Sequence, residues 1–99
     1  MDVRIQSIHF DASEQLQAFI QKKVVKLGKF YDDITRVEIA LKVVKPETAV
    51  NKEAGVQVIV PNGEFYATKT CDTFEEAVDL CLEALSKQLV KHKEKQRSK

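Results

Sequence analysis

The sequence predicts one α+β domain, a two-layer sandwich in the order β-α-β-β-β-α, with a four-stranded mixed sheet of order 1-2-3-4 and both helices on one face. Two long segments repeat apolar residues every three or four positions, as amphipathic helices do. Four shorter segments alternate apolar and polar residues, as half-buried strands do. The 99 residues, 43% hydrophobic and 31% charged, are enough for a single domain spanning residues 1–99.

The first half of the chain predicts a strand, a helix and a second strand. Residues 2–10 alternate and predict the first strand. Ser13 is the predicted N-cap of a helix that runs to about Phe30. The apolar stripe of this helix consists of Leu16, Phe19, Ile20, Val24, Leu27 and Tyr31. Residues 35–45 alternate strictly and predict the second strand.

The next segment predicts a loop and a hairpin. Residues 45–54 are rich in polar and turn-forming side chains and predict an exposed loop. Residues 55–70 predict two strands joined at Asn62-Gly63, a pair that tolerates the positive φ angles of a tight turn.

The last helix is predicted to begin at Asp72 or Thr73, with Thr73 and Glu76 spaced as a capping box. Its apolar positions are Phe74, Ala77, Val78, Cys81, Leu82, Leu85 and Leu89. A helix between the first two strands requires a parallel pair with a right-handed crossover, and the other strands add as antiparallel neighbours. Because each helix has a single apolar stripe, both are expected on the same face of the sheet.

The composition excludes several functional classes. No apolar run approaches the roughly 20 residues of a membrane helix, and the N-terminus lacks the layout of a secretory signal, so we expect a cytoplasmic protein without membrane contact. Cys71 and Cys81 lack metal-binding spacing and are interpreted as small apolar residues, and His9 and His92 are isolated. Without a recognisable nucleophile, acid–base pair or phosphate loop, we expect no enzyme, cofactor, metal or small-molecule substrate.

Charge is segregated along the chain although the net charge is only +1. Residues 22–29 contain four lysines and no acid, and from Ser86 onward six cations accompany one acid, with a basic tail expected from about residue 90. Residues 71–85 hold five acids and no cation. Helical spacing places Lys22, Lys26 and Lys29 in one row and Lys87, Lys91 and Lys95 in another, with Lys23 near the other margin of the first helix and Lys93 beside the second row. The candidate phosphate contacts are Lys22, Lys23, Lys26, Lys29, Lys87, Lys91, Lys93 and Lys95.

Two interpretations of these lysines remain open. Acids at the start of a helix and cations at its end each favour the helix dipole by about 0.3–1 kcal/mol, which explains two or three of them. The helix dipole does not explain the cations that continue to Lys99, or the four lysines without an acid in residues 22–29. That excess predicts a polyanion partner. RNA is favoured because no helix-turn-helix or finger is present and lysine suits phosphates better than base edges, so a structured RNA would be recognised by shape.

Three segments of the chain carry a family resemblance. SEQLQAFIQKKVVKLGKFYDDI, VEIALKV and FEEAVDLCLEALSKQLVKHKEK together resemble the short ribosome hibernation factors, also called ribosome-associated inhibitors or sigma-54 modulation proteins. The most specific part, KLGKFYDDI, is similar to the family pattern K-L-x-[KR]-[YF]-[YF]-[DN], and KQLVKHKEK is similar to the basic closing helix.

The resemblance implies a domain that binds the small ribosomal subunit between head and body. There it would occupy the path of messenger and transfer RNA in idle ribosomes, contacting ribosomal RNA through the eight lysines named above. Two positions depart from the family pattern: Ala84 replaces a basic residue, and Ser7-Ile8 replaces a glycine followed by a basic residue. Because the chain ends soon after the basic helix, we expect a protein that is monomeric when unbound and does not itself pair ribosomes.

Two other functional classes remain as alternatives. A double-stranded RNA-binding domain also packs two helices on one sheet face, but its cations lie at the start of the last helix, where this chain has DTFEEAVD. A protein-binding regulator of a sigma factor is the second alternative. Stable binding to a sigma factor without binding to ribosomes would distinguish it.

Overall fold

Two helices and four strands follow one another in the predicted order. The structure is a computed structural model that describes residues 2–8, 10–31, 33–44, 50–61 and 63–97, excluding the side chains of Phe30 and residues 95–97. The elements are β1 (Asp2–Ile8), α1 (Glu14–Phe30), β2 (Arg36–Val43), β3 (Lys52–Val60), β4 (Gly63–Cys71) and α2 (Phe74–Arg97).

The sheet has the predicted order β1-β2-β3-β4. β1 pairs with β2 in parallel, with Val3 opposite Val37, whereas β3 is antiparallel to both of its neighbours. The mixed sheet and its strand order are therefore confirmed. Within the described ranges, no helix has the length and apolar character needed to cross a membrane.

α1 begins and ends as its local sequence predicts. The backbone N–H of Leu16 donates to Ser13 Oγ at 3.1 Å, so Ser13 is the N-cap. The helix ends at Phe30, and the N–H of Tyr31 donates to the carbonyl oxygen of Leu27 at 3.1 Å. Tyr31 is buried and completes the apolar stripe of the helix.

α2 is capped by Thr73, whose Oγ1 accepts a hydrogen bond from the N–H of Glu76 at 3.2 Å. Among the described residues, the reciprocal bond of the predicted capping box, from the Thr73 N–H to the Glu76 carboxyl, is absent. A side-chain hydrogen bond with Asp72, together with its negative charge, raises the pKa of Glu76. The helix continues to Arg97, a length of about 36 Å, so the residues from 90 onward that were expected to form a tail are helical as far as Arg97.

The predicted loop over residues 45–54 is wrong at its end, because β3 already begins at Lys52. Residues 52–54 pair with residues 41–43 of β2, and Ala54 is fully buried beneath α2. Sheet pairing and burial therefore outweigh the polar local sequence. Residues 45–49, like the predicted turn residue Asn62, lie outside the described residues.

The core lies between the helices and one face of the sheet. The inward residues of β2 alternate with mostly half-buried ones, the inward residues of β3 join them in the core, and both helical stripes join the same buried cluster, which confirms that the two helices share a face. On the opposite face Tyr66 is 60% exposed, and its hydroxyl lies 2.6 Å from where a Cβ on Gly55 would stand. Glycine at position 55 therefore lets the tyrosine ring lie across β3.

Leu85→Ala tests the packing of α2 on the sheet. Leu85 is fully buried, so its truncation should lower the free energy of unfolding by about 2–5 kcal/mol through lost burial and a residual cavity. The matched control is Leu80→Ala on the same helix, where the side chain is 38% exposed and the loss should stay below about 1 kcal/mol. Urea denaturation measures both, and equal losses would contradict this packing.

Candidate nucleic-acid interface

The two helices run in the same direction. Phe10, which precedes α1, stacks on Phe74 at the start of α2, with ring centroids 4.9 Å apart. At the other end Tyr31, which follows α1, has its ring centroid 6.2 Å from that of His92 in the last third of α2. The starts of both helices therefore lie together, and so do their later parts. This arrangement brings the lysine-rich halves of two distant segments to one end of the molecule.

Three predicted contacts lie together on the outer side of α1. Lys22, Lys26 and Lys29 are exposed and line a shallow depression of about 440 Å³ with the side chains of Ala18, Gln21 and Val25. No carboxylate lies within ion-pair distance of these ammonium groups in the described part of the chain. We call these three lysines the α1 row.

Lys23 is placed differently from the α1 row, because it faces α2. Its Nζ lies 3.3 Å from Asp79 Oδ1, and its side chain is 32% exposed. The same ammonium group lies 5.4 Å from the centroid of the Phe19 ring, within range of a cation–π interaction. The acid that the local sequence of α1 lacks is thus supplied by the other helix.

The lysines of α2 occupy two flanks. Lys87 and Lys91 are exposed and four residues apart, and we call them the α2 row. Lys91 borders an apolar hollow against β4, with Phe65 and His92, whose ring centroids are 5.2 Å apart. Lys93 is exposed on another side of the helix. The side chain of Lys95, the third predicted member of this row, lies outside the described part of the structure.

Lys93 falls on the flank that faces α1. It lies seven residues, or two turns, after Ser86, which lines the groove between the helices. Helical spacing therefore puts Lys93 on the groove side of α2.

The two ends of the helix layer have opposite charge. The acids of residues 72–83 surround the start of α2, whereas the cations of residues 87–97 occupy its end. Because the helices are parallel, both carbonyl ends contribute partial negative charge, about half an elementary charge each, at the lysine-rich end. The helix dipoles therefore lower the free-energy cost of concentrating lysines there.

Comparison with known proteins identifies the family. The family model described as sigma 54 modulation protein / S30EA ribosomal protein matches residues 3–97. The chain belongs to this family. This chain is 34% identical over 98 residues to a ribosome hibernation promoting factor of Pseudomonas putida. The aligned region covers 99% of this chain and 92% of the relative. A factor of the same name from Escherichia coli K12 is 30% identical over 95 residues, or 96% of each chain.

Solved structures agree with this assignment. A ribosomal subunit interface protein from Coxiella burnetii superposes on this S30EA-family chain with a TM-score of 0.84 at 25% identity, covering 94% of this chain and 98% of the other. The N-terminal domain of Protein Y from Thermus thermophilus gives a TM-score of 0.74 at 18% identity, covering 89% and 94%, and supports the fold alone.

Both cysteines of this family member are buried thiols. Burial raises the pKa of Cys81 to about 11, and its Sγ donates a hydrogen bond to the carbonyl oxygen of Ala54 at 3.3 Å. The pKa of Cys71 is also raised, chiefly by burial and then by the charge of Glu76. Both side chains therefore stay protonated at neutral pH, which is the state least suited to nucleophilic chemistry or metal binding.

Asp79 and Glu83, which pair with two of the candidate lysines, are not predicted as partners by the sequence analysis. Asp79 pairs with Lys23, and Glu83 Oε1 lies 3.9 Å from Lys87 Nζ. The four-residue spacing of Glu83 and Lys87 is a signal available in the sequence. The partner of Asp79 is not, because it lies on another helix more than fifty residues earlier.

The buried thiols should resist modification while the protein is folded. At pH 8 a disulfide reagent such as DTNB should modify neither Cys71 nor Cys81 on a timescale of minutes, because burial and raised pKa values keep thiolate scarce. Both should react once urea unfolds the chain. Thr70→Cys, at an exposed position of β4, supplies a control that reacts at once. Immediate reaction of the folded wild type would contradict this placement.

Proposed function

We propose that this chain is a ribosome hibernation factor. It binds the small ribosomal subunit through rRNA phosphates near the decoding region, occupies the sites of messenger and transfer RNA, and inhibits translation in idle ribosomes. It acts in the cytoplasm as a single domain that is monomeric when unbound. Membership of the S30EA family and the printed names of its relatives, ribosome hibernation promoting factor and ribosomal subunit interface protein, support this role.

The proposal that this chain binds RNA rests on one observation: two parallel helices share a lysine-rich end. Lysine presents a mobile point charge rather than a planar fork, and this suits phosphate oxygens better than base edges. Contacts from both helices would let one structured RNA be recognised through the spacing of its phosphates.

The lysines proposed to contact phosphate differ in whether a carboxylate already pairs with them in the unbound protein. Lys22, Lys26, Lys29, Lys91 and Lys93 are exposed and have no carboxylate within ion-pair distance among the described residues. Lys23 and Lys87 would have to exchange a carboxylate for a phosphate. Lys95 is proposed from the sequence alone. The first group should therefore contribute more to binding than Lys23 and Lys87.

Co-sedimentation with vacant ribosomes tests the interface. About eight phosphate contacts predict binding that weakens by several orders of magnitude as salt rises from 50 to 200 mM. The combined variant Lys22→Ala/Lys26→Ala/Lys29→Ala should flatten the log–log salt dependence by about three units, and Lys87→Ala/Lys91→Ala/Lys95→Ala by a similar amount.

The matched control for these triple variants is Arg4→Ala/Lys42→Ala/Lys69→Ala. It removes the same number of positive charges from exposed positions on the sheet strands. Its ribosome binding should stay close to that of the wild type. Equal losses in the control and the lysine-row variants would show that net charge, rather than the helix surface, determines binding.

The proposed location of binding, near the decoding region of the small subunit, has a separate test. The bound protein should compete with messenger RNA and initiator transfer RNA for the small subunit in filter-binding assays, and should inhibit translation in a reconstituted system. Binding to subunits without such competition would reject that location while leaving the ribosome association standing. Stable binding to purified sigma-54 factor without binding to ribosomes would favour the regulatory class instead.

A further inference from the structure

The groove between the two helices differs in charge from the surfaces beside it. It has a volume of about 330 Å³ and is lined on the α1 side by Lys23, Lys26 and Leu27 and on the α2 side by Asp79, Leu82, Glu83 and Ser86. Leu27 and Leu82 are buried and form its apolar base. The walls carry two cations and two acids, whereas the α1 row and the α2 row consist of lysines.

Both acids of the groove already have lysine partners. Asp79 bridges the helices through Lys23 at 3.3 Å, with 50% of the Asp79 side chain exposed. Glu83 approaches Lys87 at 3.9 Å from one turn earlier on the same helix. Each pair reduces the positive potential that a phosphate would meet in the groove. A phosphate that displaced either carboxylate would still lie a few ångströms from its negative charge.

The apolar base of the groove increases this effect. Charges beside low-dielectric surface interact more strongly than the same charges in bulk water. A phosphate in the groove would therefore be repelled more by Asp79 and Glu83, which line it, than by the acids at the start of α2, which do not. Lys22 and Lys29 of the α1 row and Lys91 of the α2 row do not line the groove and have no carboxylate within ion-pair distance among the described residues.

We propose that Asp79 and Glu83 form an acidic divider, which disfavours phosphate in the groove, at Lys23 in particular, and directs a bound polyanion to the lysine rows on its two sides. The inference rests on the proposed function and specifies which RNA the surface accepts. Packed helices lie about 8–10 Å apart, so the two rows require two backbone segments held at a fixed spacing. A folded RNA supplies such segments. A single flexible strand, which would otherwise follow the groove, is disfavoured.

The test compares binding of a single-stranded 20-nucleotide oligo(U) and of vacant small subunits to the wild type and to Asp79→Asn/Glu83→Gln. The variant should bind oligo(U) about tenfold more tightly, with a log–log salt slope steeper by one to two units, because Lys23 and Lys87 become available to phosphates. Subunit binding should tighten by a smaller factor than oligo(U) binding, so discrimination between the two RNAs falls.

The matched control is Asp11→Asn/Glu75→Gln, which removes two exposed acids near the starts of the two helices, away from the groove. It makes the same change in net charge and should alter oligo(U) binding by less than about threefold. If Asp79→Asn/Glu83→Gln binds oligo(U) no more tightly than this control does, the proposal is overturned. Failure of the wild type to bind subunits would reject the proposed function, while the oligo(U) comparison would still test the divider.

A purely structural role for Asp79, as a tether between the helices, predicts a different result. In that case Asp79→Asn would weaken oligo(U) binding as the helix layer loosens. Lys23→Met gives an independent measurement: its effect on oligo(U) affinity should be less than about twofold in the wild type and about fivefold in the Asp79→Asn background. Equal effects of Lys23→Met in the two backgrounds would overturn the inference.

Discussion

The parallel pairing of β1 with β2 constrains the whole helix layer. Because these strands point the same way, α1 must return antiparallel to them along the sheet. Two antiparallel steps then leave β4 pointing the same way as β1, so α2, which also packs on the sheet, returns in the direction of α1. The stacking of Phe10 on Phe74 and the proximity of Tyr31 to His92 are consequences of this arrangement. A different direction for one strand would separate the two lysine-rich ends.

Stability and the proposed binding place compatible demands on the lysines. Cations near the end of a helix are favourable with its dipole, and two parallel helices offer two such ends side by side. The helix-dipole interpretation and the polyanion interpretation therefore apply to the same residues. Exposure separates them: the α1 row lies on the outer side of its helix without nearby carboxylates among the described residues, whereas Lys23 is held between the helices. The lysines without a carboxylate within ion-pair distance among the described residues are the ones most available to a partner outside the chain.

The acids of α2 have two positions relative to that surface. Asp72, Glu75 and Glu76 surround the start of the helix, where they favour the dipole and lie at the end opposite the lysines. Asp79 and Glu83 extend into the groove beside the lysines and pair with them. The interface is thus a pattern of two basic rows with acids between them rather than a uniform basic patch. Under the proposed function, such a pattern would favour folded RNA over a flexible strand, which net charge alone cannot do.

Much of this protein is determined by local sequence. The helical stripes, the caps Ser13 and Thr73, the strand alternation and the strand order all follow from periodicity, capping chemistry and the rules of strand connection. The start of β3 does not follow from local sequence, because residues 52–54 become a strand only by pairing with β2 and packing beneath α2. The pairing of Lys23 with Asp79 was equally inaccessible, since it joins residues distant in the chain. Local sequence therefore determined which side chains are charged and which face of each helix is buried. Only tertiary packing decided which charges neutralise one another and which remain for a partner. The reason is that Coulomb interactions depend on distance in space and not on separation along the chain.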